Sequence, residues 1–140
     1  MAATARRTLL LAALPAGLRA DDRSDVLALL GEMAADLANG LGGAFVKAFV
    51  WEGNERAAFR QEIEALLATA EVSGSVELRE FTSSTDKAEA RVDWYLYLRA
   101  RSDVRIVKQK REVLKMFFVR QGKKWRVESF APRDFFTYPQ

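Results

Sequence analysis

"RVDWYLYLRA", residues 91–100, is the stretch whose reading decides the fold. Successive side chains of an extended chain point to opposite sides, so Val92, Trp94, Leu96 and Leu98 share one face with Ala90. Asp93, Tyr95, Tyr97 and Arg99 share the other, along with Arg91. Strict alternation of this kind predicts a half-buried β-strand. Fully burying one large apolar side chain contributes about 1.5–3 kcal/mol, so the Trp94 face is expected beneath a covering layer and the tyrosine face is expected wetter.

The segments on either side supply that layer and the rest of the sheet. From Ser24, Val26, Leu29, Leu30, Met33 and Leu37 recur at helical spacing, Asp25 suits the positive N-terminal end, and Asn39-Gly40 is a stop signal. "GGAFVKAFV" places Phe45 and Phe49 four residues apart, on one side of a short second helix broken by "WEGN". Asn54 is placed to cap a third helix with the apolar stripe Phe59, Ile63, Leu66, Leu67 and Ala70. After Ala70 the period changes: "SVELREF", "AEARVDWYLYLRAR", "IVKQKREVLKMFFVR" and "KWRVESF" read as strands separated by "TSSTDK", "SD" and "QGKK". Helices followed by hairpin-linked strands predict an α+β domain, three N-terminal helices on one face of a bent four-stranded antiparallel sheet. At about 3.3 Å per residue, a strand from Ile106 to Arg120 would reach roughly 50 Å, so a bend at a bulge is expected there. Leu114, Met116 and Phe118 lie on one side of that strand, and Val113, Phe117 and Val119 on the other.

Three helices, a long antiparallel sheet and the ending "FFVRQGKKWRVESFAPRDFF" resemble the nuclear transport factor 2-like superfamily, over roughly residues 24–136. The most specific part is the last hairpin, an aromatic strand, a turn at Gly122, then Trp125-Arg126-Val127. The resemblance implies a curved sheet wrapped around helices as a cone, of cystatin-like type, with an internal pocket, and it implies frequent dimerisation through the sheet. The superfamily holds enzymes, small-molecule binders, transport factors and exported bacterial members of unknown function, so fold alone selects no activity. Its cyclases and dehydratases commonly use an Asp or His in the pocket, and this sequence has no histidine.

The first twenty residues have a different character. Arg6-Arg7, an apolar run from Leu9 to Leu14, and small residues before Asp21 outline an export signal over residues 1–20, with cleavage near Ala20. Both Sec export and a loose twin-arginine route fit. Pro15, Gly17 and Arg19 cut the run below the ~20 residues of a membrane span. Residues 21–140 then form a single domain, expected in the periplasm or outside the cell. Loss of Arg6, Arg7 and Arg19 leaves 19 Lys+Arg against 19 Asp+Glu, so the net charge of +3 belongs to the leader and no nucleic-acid partner is expected. With no cysteine, no lipid-attachment residue provides a stable membrane anchor.

The absence of His and Cys excludes Ser-His-Asp and Cys-His devices, thiol redox chemistry and a conventional zinc site, and no metal or cofactor is expected. "NGLGG" follows a helix and lacks the Lys-Ser/Thr of a phosphate loop. Asp93 with Tyr95 and Tyr97 is the candidate catalytic group, a carboxylate base beside phenolic donors, as an isomerase, cyclase or dehydratase without cofactor would need. The competing reading pairs Asp93 with Arg91 and Arg99 on an open surface, and a nonenzymatic role is favoured. Trp51, Trp94, Met116, Phe118 and Trp125 are the candidates to line a pocket for a small apolar molecule, or simply to fill a structural core. Tyr95, Tyr97, Phe117 and Val119 are the candidates for a homodimer interface. Eleven Lys/Arg from Arg99 to Arg126 face only Asp103 and Glu112, either a cationic strip for an anionic partner or ordinary solvation of a sheet. "DFFTYPQ" at the end is placed to close the cone mouth or to cross an edge strand.

Overall fold

A computed structural model describes residues 15–139. The expected export signal lies outside the described residues over 1–14, and its last six positions form the start of the first helix.

Helix α1 spans Pro15–Ala38, beginning well before the expected Ser24. Proline is tolerated in a first turn because its missing N–H has no intrahelical partner there, and Asp22 is tied to the sheet. The inward stripe is Val26, Leu30, Met33 and Leu37, all buried. At the other end Gly40 takes φ 72°, its N–H reaches the Leu37 carbonyl at 3.1 Å and the Leu41 N–H reaches that of Asp36 at 2.8 Å. Those two bonds form a Schellman stop, which favours glycine at that position.

Helix α2, Gly42–Lys47, is followed by a short extended piece that pairs with the last strand. The Val50 N–H donates to the Val127 carbonyl at 3.0 Å and the Val127 N–H to that of Ala48 at 2.8 Å, which covers an otherwise open sheet edge. Helix α3, Gly53–Thr69, buries Phe59, Ile63, Leu66 and Leu67 as its spacing predicts. Asn54 does not cap it but lies inside its first turn: the cap position falls two residues earlier, at Glu52, with no side-chain capping bond. Ala70 is buried, but as the first residue of the first strand. Arg101 accounts for that early end, because its backbone N–H takes the Thr69 carbonyl and its Nε takes that of Leu67.

Strands β1 (Ala70–Ser83), β2 (Lys87–Ala100), β3 (Val107–Gln121) and β4 (Lys124–Ala131) form one antiparallel sheet in that order. The Trp94 face of β2 lies inward as expected, with Val92, Trp94, Leu96 and Leu98 each at most 1% exposed. Leu114, Met116 and Phe118 continue that face on β3, and Val127 and Phe130 on β4. The anticipated bend falls elsewhere than expected. β3 pairs with β2 without interruption from Val107 to Val119, and the extra residues are Arg79 on β1 and Glu128 on β4. A bulge adds twist to a pair of strands whichever partner carries it, so the outer strands accommodate the curvature around the long central ones. Gly74 sits close against β2: a Cβ there would lie 1.9 Å from the Tyr95 carbonyl oxygen.

Candidate functional site

The outer face of β2 carries the candidate catalytic group. Asp93 is only 6% exposed although it points away from the helices. Two guanidinium groups shield it: Arg111 donates Nε to Oδ1 at 3.1 Å and Nη2 to Oδ2 at 2.8 Å, and Arg79 donates Nη2 to Oδ2 at 2.8 Å. The bonds from Arg111 and then Arg79 hold the carboxyl well below the usual carboxylate range. Arg91 and Arg99, the partners expected from β2 itself, do not hold Asp93, and Arg91 reaches Glu80 at 3.4 Å instead. The residues directly opposite Asp93 are Glu77 and Val113, and the two arginines reach it from diagonal positions, Arg111 opposite Tyr95 and Arg79 at the β1 bulge, within range of such long side chains. Asp93, Tyr95, Ser75, Glu77 and Arg111 border a depression of about 270 Å³. Tyr95 and Tyr97 are half-buried, and Tyr97 borders a separate depression with Ser73, Arg99 and Arg101.

The four expected interface residues all lie on this face but at two separate places. Tyr95 and Tyr97 stand opposite Arg111 and Gln109, whereas Phe117 and Val119 stand opposite Glu89 and Lys87. Six residues of strand, about 20 Å, separate the two groups. Between them lie the Asp93 ion cluster and Val113, which is 50% exposed.

The five expected pocket residues are all buried, and they too divide. Trp51 and Trp94 belong to an aromatic cluster. Trp51 stacks on Phe130 at 6.0 Å, Phe49 meets Phe59 at 4.7 Å, and Trp94 meets Phe136 edge-on at 5.0 Å. Trp51 Nε1 donates to the Glu128 carbonyl at 2.8 Å. Trp125 lies toward α1, bordering a shallow cavity of about 240 Å³ with Leu29, Met33, Asp36 and Lys47. Its Nε1 is buried without a hydrogen-bond partner, and the Arg120 guanidinium sits 4.6 Å from its ring centroid. Met116 and Phe118 are fully buried in the sheet's inner face.

The C-terminal segment packs its phenylalanines into the apolar core. Phe135 and Phe136 are each 1% exposed, and Phe136 touches Phe45, Phe130 and Trp94. Arg133 lies 4.8 Å over both Trp51 and Phe59 and pairs with Glu62 at 3.3 Å. Lys110 donates to the carbonyls of Asp134 and Thr137, and Lys108 to that of Pro139. The two phenylalanines were absent from the expected pocket; their signal was an apolar pair beyond the last strand in an otherwise polar ending.

A second buried carboxylate, Asp22 on α1, accepts from Arg120 Nη2 and from Ser83 Oγ at 3.1 Å. Several of the other basic residues after Arg99 are also engaged: Arg105 with Asp103, Lys115 with Glu89, and Arg101 with Glu71. Among the described residues, no group of three or more His, Cys, Asp or Glu is placed to hold a metal ion, and no helix is long and apolar enough to cross a membrane.

No protein-family model matches the chain, and no curated protein does. Solved structures do. A protein of unknown function from Mycobacterium tuberculosis is 14% identical, with TM-score 0.71 over 89% of this chain and 81% of its own. A nuclear transport factor 2-like protein with a cystatin-like fold from Novosphingobium aromaticivorans is 20% identical, with TM-score 0.65 over 84% of each chain. A protein from the same organism, provisionally named a scytalone dehydratase, is 11% identical, with TM-score 0.69 over 78% of this chain and 80% of that one. At such identities the likeness is one of architecture, and three helices on a curved meander agree with it element by element: the chain has the nuclear transport factor 2-like, cystatin-like fold.

Proposed function

We propose that the chain is a nonenzymatic binding domain, exported to the periplasm or beyond, that takes a small apolar molecule into its cone. The observation that carries this reading is the chemistry of its interior. The side chains packed between helices and sheet are aromatic and aliphatic, and the two buried carboxylates among the described residues, Asp22 and Asp93, are both held by arginines. An acid–base enzyme needs a titratable group, with pKa near the working pH, within reach of its substrate. Asp22 also bears on export. Cleavage after Ala20 leaves this buried ion-pair member in the mature chain, whereas cleavage a few residues later removes it. The test is native mass spectrometry of the exported chain: an N-terminus at Asp21 and a noncovalently bound apolar molecule are expected. An N-terminus at Met1 overturns export, and conversion of a carbonyl substrate that Asp93→Asn abolishes overturns the nonenzymatic reading.

A homodimer through the outer sheet face accompanies this proposal. Val113, exposed between Tyr95 and Phe117, supports it, since a second copy would cover apolar groups that the monomer leaves in water. Val113→Glu is expected to halve the mass seen by light scattering; a monomeric wild type at high concentration overturns the dimer. The enzymatic reading has one observation in its favour, the depression beside Asp93 and Tyr95. The paired arginines there make the carboxylate a weak base.

A further inference from the structure

The interior has an occupant already, and the way that occupant is held says what else would fit. Beyond β4, the backbone bonds of residues 132–139 among the described residues are local, Phe135 N–H to the Pro132 carbonyl at 3.3 Å and Thr137 N–H to that of Asp134 at 3.2 Å. Neither belongs to the sheet ladder. What keeps the segment in place is the rings of Phe135, Phe136 and Tyr138 and a row of carbonyl oxygens, with Lys108 and Lys110 facing both the oxygens and the rings of Tyr138 and Phe135. The segment can therefore leave without breaking a strand pair, turning after Arg133, which stays clamped over Trp51 and Phe59 with Glu62.

Lys108 and Lys110 stand on the inner face of β3, opposite Leu98 and Leu96. They mark the open end of the apolar surface, with ammonium groups at 2.9 to 3.1 Å from carbonyls. A carbonyl oxygen is a neutral acceptor; a carboxylate in its place would make charge-assisted bonds of about twice the strength. Lys110 is already partly withdrawn from water, and that desolvation pulls its pKa down, with Asp134 and Glu112 only partly opposing it. An anion would relieve this. The segment thus presents an apolar body and an oxygen-bearing edge to a surface that asks for both.

We infer that residues 134–139 are a displaceable plug, and that the surface beneath takes an apolar carboxylic acid, its body replacing Phe135 and Phe136 and its carboxylate lying between Lys108 and Lys110. This rests on the reading of the chain as a binding domain and adds the ligand class and the gate.

The test uses decanoate as the probe and decanol as the neutral control, with hydrogen exchange on the full chain. The amides of Phe135–Tyr138 are expected to exchange through a local opening, at least ~100-fold faster than those of β2, and decanoate is expected to speed them further while decanol does not. A chain ending at Arg133 is expected to bind decanoate about tenfold more tightly than the full chain, because the closed fraction no longer counts against binding. Lys108→Ala with Lys110→Ala should remove the preference for decanoate over decanol. If decanoate binds both chains equally, the plug is refuted and the binding domain survives. If a folded shortened chain binds neither probe, both fall. Should the shortened chain fail to fold, exchange in the full chain decides: protection of Phe135 and Phe136 equal to that of β2, unchanged by decanoate, overturns the inference.

Discussion

The two faces of β2 are built from adjacent residues yet obey different rules. On the inner face Val92, Trp94, Leu96 and Leu98 are buried by apolar packing, which any close-fitting helical layer would supply. On the outer face Asp93 is shielded almost as thoroughly, by two arginines from other strands. The first kind of burial is a property of one strand's pattern; the second depends on which residues three strands bring side by side. Burial alone therefore does not mark a pocket, and the carboxylate with the most suggestive neighbours in sequence is one whose proton affinity the paired arginines reduce.

Substitutions that treat the faces alike would break this contrast. The largest effect belongs to Trp94→Ala, which removes a fully buried indole packed on Phe136 and should lower stability by about 3–5 kcal/mol in urea titrations. A loss under 1 kcal/mol would mean that the inner face is not packed as described. Gly74→Ala comes next: the new methyl must push against the Tyr95 carbonyl, and a cost of about 1–3 kcal/mol is expected.

Asp93→Asn sharpens the outer side through its pH dependence. Since the folded pKa lies below the unfolded value of about 3.9, the stability from the ion cluster is present above that value and disappears as pH falls through the folded pKa. The urea midpoints of wild type and variant should thus differ at pH 7 and converge in strong acid. A difference independent of pH would contradict the pairing. Smallest is Lys87→Ala, which removes an exposed bridge to Glu128 and should change stability by less than about 1 kcal/mol.

How far the sequence was legible follows the same division. Alternation in "RVDWYLYLRA" and the helical stripe of α1 placed their buried sides correctly, because each depends on a local period. Asn54 misled because capping requires a backbone geometry that helix α3 reaches two residues earlier, at Glu52. The bulges at Arg79 and Glu128 were hidden because register belongs to pairs of strands. Arg79 and Arg111 were missed as partners of Asp93 for that reason too. Phe135 and Phe136 were legible as apolar residues but not as contents of the cone, since their neighbours Trp94 and Phe45 are distant in the chain.

A chain without native cysteine offers a clean test of the architecture on which all these assignments stand. Single cysteines at Leu96 and Tyr97 can be compared by thiol-labelling rate under native conditions. At protein concentrations low enough to keep the chain monomeric, Tyr97→Cys should label directly from the folded state, and Leu96→Cys only through unfolding. Equal rates, or protection at Tyr97 with exposure at Leu96 in the monomer, would contradict the placement of the helices on the Trp94 side.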